Sequence, residues 1–245
     1  GNYHVYNFRN DIEKTSINIQ DQSITINYSI KELGIETISG SNGKFFRLSV
    51  AGHNFTVEPG KPELPVLSRI IEIPESGLYK IRISDIKSER IEPSRDRIEG
   101  FLYPAQYGET KQKDPGKADF VIDKKVYGAH GIINSDTVKV EYLGKLRSRS
   151  LSTLSVFPVR YNPEMNYLEV ITSMKIEIIF RGDGIRDSKS SGTESALFND
   201  ILEKGVLNYY PDQLINGYTD NPVGMIVVAD TTFEECLKPL IKWKI

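Results

Sequence analysis

From Leu168 to Phe180 every second residue suits a protein core: Leu168, Val170, Thr172, Met174, Ile176, Ile178 and Phe180. Seven positions at period 2 describe a long β-strand with one buried face. The other face, with Glu169, Ser173, Lys175 and Glu177, is predicted to meet water. Ile24, Ile26, Tyr28 and Ile30 alternate in the same way, as do Tyr79, Ile81 and Ile83, and Val138, Val140 and Tyr142. Turn chemistry separates these runs: Ser39-Gly40-Ser41-Asn42-Gly43, Glu58-Pro59-Gly60, Pro74-Glu75-Ser76-Gly77 and Tyr161-Asn162-Pro163-Glu164. Many short strands with no helical stretch between them predict a mainly β fold, an antiparallel sandwich or flattened barrel over residues 1–181. No helix is needed before Gly182.

The composition then changes. Arg181 to Gly192 holds one apolar residue, Ile185, and buries too little to offset its ordering entropy, so residues 182–222 are predicted to be a linker. Within it a short helix is expected over 194–204, capped by Thr193, striped by Leu197, Phe198, Ile201 and Leu202, and stopped at Gly205. Met225-Ile226-Val227-Val228-Ala229 is an apolar run, and Phe233, Leu237, Leu240 and Ile241 follow at helical spacing. A strand apolar on both faces that feeds a helix opens a parallel sheet, so residues 223–245 read as the first unit of an α/β domain cut short. Pro239 falls inside that helix, where it removes one backbone donor.

Charge and composition exclude several functions. Of 245 residues 39% are apolar and 26% charged, with a net charge of −2. A nucleic-acid partner would call for a basic excess, and no run approaches the ~18 apolar residues of a membrane helix. The single cysteine, Cys236, cannot form an internal disulfide. It shares a helix face with Phe233 and Leu240, so packing against a core is expected rather than thiolate chemistry. His4, His53 and His130 lack the spacing of metal ligands. There is no GxSxG, phosphate loop or GxGxxG, and neither cofactor nor metal is called for.

Two stretches are unusual for a plain sandwich. Pro59-Gly60-Lys61-Pro62-Glu63-Leu64-Pro65 places three prolines just ahead of the apolar run Val66–Pro74 and reads as a rigid extended lead into a buried strand. Tyr107 to Asp119 is long, polar and Lys-rich, and interrupts the strand pattern. Such loops on a rigid scaffold often carry function.

These pieces, taken in order, resemble the N-terminal propeptide of the gingipain family of cysteine peptidases. The matching segments are Pro59–Val66 with Ile71-Glu72-Ile73-Pro74, then Phe120–Tyr127, Val140–Gly144, Phe157–Pro163 and Val206-Leu207-Asn208-Tyr209. The tail from Met225 through Lys244 resembles the first strand and helix of that family's peptidase domain. The resemblance implies a β-rich propeptide, secreted by a bacterium or placed in its periplasm or at its cell surface, that assists folding of its own downstream peptidase domain and blocks its cleft. The catalytic His and Cys of that caspase-like domain would follow this segment, so no catalytic residue is carried over and no catalysis is expected of this chain alone. The resemblance also makes Arg181, Arg186 and Lys189 candidate cut points for an enzyme that prefers basic residues. Lys111, Lys113 and Lys117 become candidates for entering the cleft. Other readings stay open: a secreted β-sandwich that binds glycan or protein, a permanent N-terminal domain of a sortase-like peptidase in a secretion system, or a structural segment without independent function.

Overall fold

The computed structural model describes residues 3–9, 11–12, 14–20, 22–40, 42–74, 78–108, 119–133, 136–146, 149–181, 196–209 and 227–244. Strands dominate: β1 (Tyr3–Asn7), β2 (Ser16–Gln20), β3 (Ser23–Ser29), β4 (Glu32–Gly40), β5 (Gly43–Ser49), β6 (Asn54–Phe55) and β7 (Pro65–Ile73). They continue with β8 (Tyr79–Ile91), β9 (Phe101–Leu102), β10 (Val138–Leu146), β11 (Arg149–Val156), β12 (Val159–Asn162) and β13 (Tyr167–Phe180). The helices are α1 (Lys124–Tyr127), α2 (Ala196–Gly205) and α3 (Glu234–Lys244), with short 3-10 turns at Pro93–Asp96 and Thr231–Phe233.

The strands form three sheets, ordered β1-β4-β5-β9, β10-β11-β7-β6 and β12-β13-β3-β2, with β8 paired to β13. Pairing is antiparallel except between β5 and β9. Among the described residues none of the sheets closes on itself, so the architecture is sandwich-like and not a closed barrel. Alternating residues from the sheets meet in one core, whose largest fully buried members include Tyr28, Leu33, Phe46, Ile71, Leu154, Tyr161 and Leu168. Each such aliphatic or aromatic side chain contributes about 1.5–3 kcal/mol on leaving water.

β13 is the long alternating strand expected, and all seven of its apolar-set residues are buried. It departs from strict alternation at Ile171 and Ser173, which are 1% and 3% exposed instead of facing water. Register shifts opposite β8, between Ile171 and Ser173 and between Ser173 and Lys175, interrupt the ladder at this stretch. The expected turn at Tyr161–Glu164 is displaced. Tyr161 and Asn162 finish β12, and the Asn162 carboxamide accepts the Met165 N–H (2.9 Å) to bend the chain beyond it. α1 is a helical turn before Gly182 that periodicity missed. It is too short to show a period, and Asp123 holds it by accepting from the Lys125 and Val126 amides.

Two compact units divide at Tyr210 and Pro211. The first extends past β13 to include α2 and Val206–Tyr209, which sequence placed in a linker; Arg186, Lys189 and the Thr193 cap lie outside the described residues. In the second unit Asp230 accepts the Thr232 amide and starts the turn that leads into α3. Met225 and Ile226 lie outside the described residues, and Val227–Asp230 are not part of a strand. Cys236 is exposed, as are Phe233, Leu240 and Ile241, so the expected packing of the cysteine is not met. A helical stripe becomes a core face only where another element lies on it, and spacing alone does not provide that element. Among the described residues no helix is long and apolar enough to cross a membrane.

Candidate functional site

The Pro-rich run and the stretch before the Lys-rich segment fold as one structure. Gly60, at φ +83°, turns the chain so that its amide donates to the Ala105 carbonyl (2.8 Å) while its own carbonyl accepts from Asp123 (2.9 Å). A Cβ at this position would lie 3.0 Å from the Asp123 nitrogen, so glycine is required by conformation and by space. The Ala105 amide returns to the Lys61 carbonyl, and the Glu63 amide donates to Tyr103, each at 2.8 Å. Three prolines fix φ and withhold donors, leaving Gly60, Lys61, Glu63 and Leu64 to make the bonds. Residues 59–65 are thereby laced between 103–105 and 121–123.

Gln106 closes the stem across the base of the Lys-rich segment. Its carboxamide donates to the Val121 carbonyl and accepts the Val121 amide, both at 2.9 Å. The same nitrogen lies 2.9 and 3.1 Å from the carbonyls of Pro104 and Ala105. Beneath this clamp Phe45, Tyr103 and Phe120 form an aromatic triad with ring centroids 5.3–5.9 Å apart. The Arg47 guanidinium lies 4.4 Å over the Tyr103 ring and bonds the Glu63 carboxylate at 3.3 Å. Burial pushes the Glu63 carboxyl above its usual range, and Arg47 opposes that shift. On the far side the Tyr127 hydroxyl donates to the Leu102 carbonyl (2.6 Å), and burial raises its pKa. Both ends of the Tyr107–Phe120 stretch are therefore fixed to packed backbone. The points at which the chain leaves and rejoins the packed body are thus fixed at Gln106 and Val121; among the described residues no group of three or more His, Cys, Asp or Glu could hold a metal ion.

Lys111, Lys113 and Lys117 lie outside the described residues; their stem, ending at Gly108 and resuming at Asp119, is within them. Arg186 and Lys189 also lie outside. Arg181 follows β13 directly, is exposed, and extends the ladder with β8 by donating its amide to the Leu78 carbonyl (2.9 Å). Sequence reasoning missed Gln106, a lone polar residue with nothing to mark it. It also missed Glu72, buried at 3% exposure and bonded to Arg149 (2.9 Å). A carboxylate inside the apolar run Ile70-Ile71-Glu72-Ile73 was the available signal.

A family model described as Propeptide_C25 matches residues 6–213, and the chain belongs to that family. It is a propeptide domain of the gingipain type, and curated relatives include Lys-gingipain of Porphyromonas gingivalis, 27% identical over 236 residues. That match covers 94% of this chain and 13% of the relative, so the chain spans about an eighth of the length of the curated relatives it matches most fully. Gingipain R1 of the same bacterium is 22% identical over 187 residues, covering 76% of this chain and 18% of the relative. Among solved structures, one on the zymogenic latency of gingipain K from P. gingivalis superposes with a TM-score of 0.66 at 25% identity, over 74% of this chain and 100% of that one. A complex of the pro- and mature domains of P. gingivalis RgpB gives 0.62 at 15% identity, over 81% of this chain and 99% of that one, a likeness of fold.

Proposed function

We propose that this chain is the latency-conferring propeptide of a secreted bacterial cysteine endopeptidase of the gingipain kind, and that its partner is its own downstream peptidase domain. The observation that carries this reading is the family match across residues 6–213. The gingipain K structure, described as concerning zymogenic latency, supports it. Catalysis then belongs to the precursor's peptidase domain, and this chain contributes inhibition and assistance in folding. While covalently joined, a propeptide meets its cleft at an effective concentration near ~1 mM, so modest affinity keeps the enzyme shut. Cutting the connection removes that advantage.

The clamped stem gives this latch a defined probe. Lys111, Lys113 and Lys117 are the proposed cleft contacts, and a lysine ammonium entering an acidic specificity pocket would form a charge-assisted contact strengthened by exclusion of water. Arg181, Arg186 and Lys189 are the proposed processing points. Arg181 would have to release its bond to Leu78 before lying extended in a peptidase cleft, which favours cutting at the other two. The test replaces Lys111, Lys113 and Lys117 with Ala and titrates the chain against the mature peptidase. A rise of about 100-fold or more in the inhibition constant is expected if one charged contact in the cleft is lost together with its neighbours. An unchanged constant removes the lysines from the latch.

A further inference from the structure

Strand β7 is paired along one edge by β11, from Leu67 to Ile73, while β6 reaches its other edge only at Pro65 and Val66. Farther along, the chain that follows α2 takes up its backbone groups. Val206 forms a parallel bridge with Ile70, and the Leu207 amide donates to the Ile70 carbonyl (2.8 Å). The next contact is made by a side chain. The Asn208 carboxamide accepts the Glu72 amide (2.7 Å) and donates to the Glu72 carbonyl (2.9 Å), satisfying both backbone groups of a residue 136 positions away. Arg149 bonds the Glu72 carboxylate (2.9 Å) and lies 4.6 Å over the Tyr209 ring. Leu202, Val206 and Asn208 are each about 95% buried, so water does not compete for these bonds.

We infer that Ala196–Tyr209 is a non-covalent strap: after the chain is cut between Arg181 and Lys189, the strap keeps everything that follows it attached to the β-body. Reciprocal carboxamide–backbone bonds and added pairing on a strand edge are the means by which an extended peptide binds a sheet. A cut before the strap is therefore a nick. Separation of the body from residues beyond Tyr209 requires a further cut on the far side of the strap. From Gly205 to Leu237 the sequence contains no Lys and no Arg. The first basic residue past the strap is Lys238, within α3, so an endopeptidase restricted to basic residues can separate the body only at Lys238 or beyond, and a cut nearer the strap needs an enzyme that reads another residue type. Latency would then survive cutting at the basic linker, because the strap preserves the high effective concentration that the linker supplied. The inference takes its cut points from the latch reading, but it is a statement about fragments staying together and does not require inhibition.

The experiment uses the whole 245-residue chain with a unique recognition sequence for a site-specific viral protease replacing residues 184–190. After complete cutting, the fragments are run on a size-exclusion column at micromolar concentration. Co-elution is expected, with separation in guanidinium chloride. Asn208→Ala leaves both Glu72 backbone groups without that partner and should weaken retention about tenfold or more. Hydrogen exchange at the Leu207 and Glu72 amides, followed in the cut but otherwise unaltered chain, needs no variant to fold and should remain slow. Fragments of the unaltered chain that part on the column, or fast exchange at these amides after cutting, overturn the strap. Retention that Asn208→Ala leaves unchanged overturns it as well, by placing the holding contacts elsewhere. The readout is the fragments themselves, so failure of the strap and failure of the latch are distinguishable.

Discussion

Gln106→Ala is the most informative single substitution in the stem. It removes the two reciprocal bonds to Val121, both 2.9 Å, and the contacts with the Pro104 and Ala105 carbonyls. At about 1 kcal/mol net per bond, the pair spanning the base accounts for about 2 kcal/mol. Loop-closure entropy contributes little. The next tie outward is Gly60, which bonds both Ala105 and Asp123. Losing the clamp lengthens the closed stretch only from residues 107–120 to residues 106–122, which changes the closure cost by about 0.2 kcal/mol. The hydrogen bonds therefore decide the effect. For a unit of this size about 2–4 °C is lost per kcal/mol, so the melting temperature should fall by about 4–8 °C. Circular dichroism measures that shift, and limited proteolysis between Tyr107 and Phe120 should accelerate in parallel. A variant that melts within a degree of the parent and is cut no faster would refute the stem as a clamp.

Gly60→Ala should cost roughly 1–2 kcal/mol, since φ +83° disfavours any Cβ and the added carbon meets the Asp123 nitrogen; thermal unfolding checks it. Arg149→Leu removes the Arg149 guanidinium from the buried Glu72 carboxylate and should cost about 3 kcal/mol in urea unfolding, more than the double replacement Glu72→Leu with Arg149→Leu. His53 donates from Nδ1 to the Ala51 carbonyl (3.0 Å), leaving Nε2 to accept the Tyr28 hydroxyl (2.7 Å). Burial, with the nearby Arg69 charge, lowers its pKa below 6.5. The unfolded chain thus takes up this proton first, so the stability linked to His53 is complete above pH 6.5 and is lost as pH falls from there toward the folded pKa. His53→Asn should flatten that part of the melting-temperature profile.

The sheet-forming residues were legible because period 2 is imposed by the backbone itself. β3, β10 and β13 fall where Ile24–Ile30, Val138–Tyr142 and Leu168–Phe180 predict them. What escaped depends on contacts between residues distant in sequence. Ile171 and Ser173 are buried where the ladder with β8 shifts register, and nothing near them in the chain encodes those shifts. The PGKPELP run was legible as rigid, yet its function as the lacing of a stem needs Ala105 and Asp123, 45 and 63 positions on from Gly60. Asn208 stood within a segment that carried the resemblance, but its partner is a backbone 136 residues earlier. Cys236 shows the converse limit: its spacing placed it on an apolar stripe, and that stripe is exposed.

The most direct measurement is the activity of the full-length precursor toward a peptide substrate, taken before and after the β-body is removed, with the isolated chain then added back. The account expects a silent precursor, activity on removal, and renewed silence as the added chain saturates the peptidase. A precursor as active with the body attached as without it would show that the sandwich rides on its enzyme without restraining it.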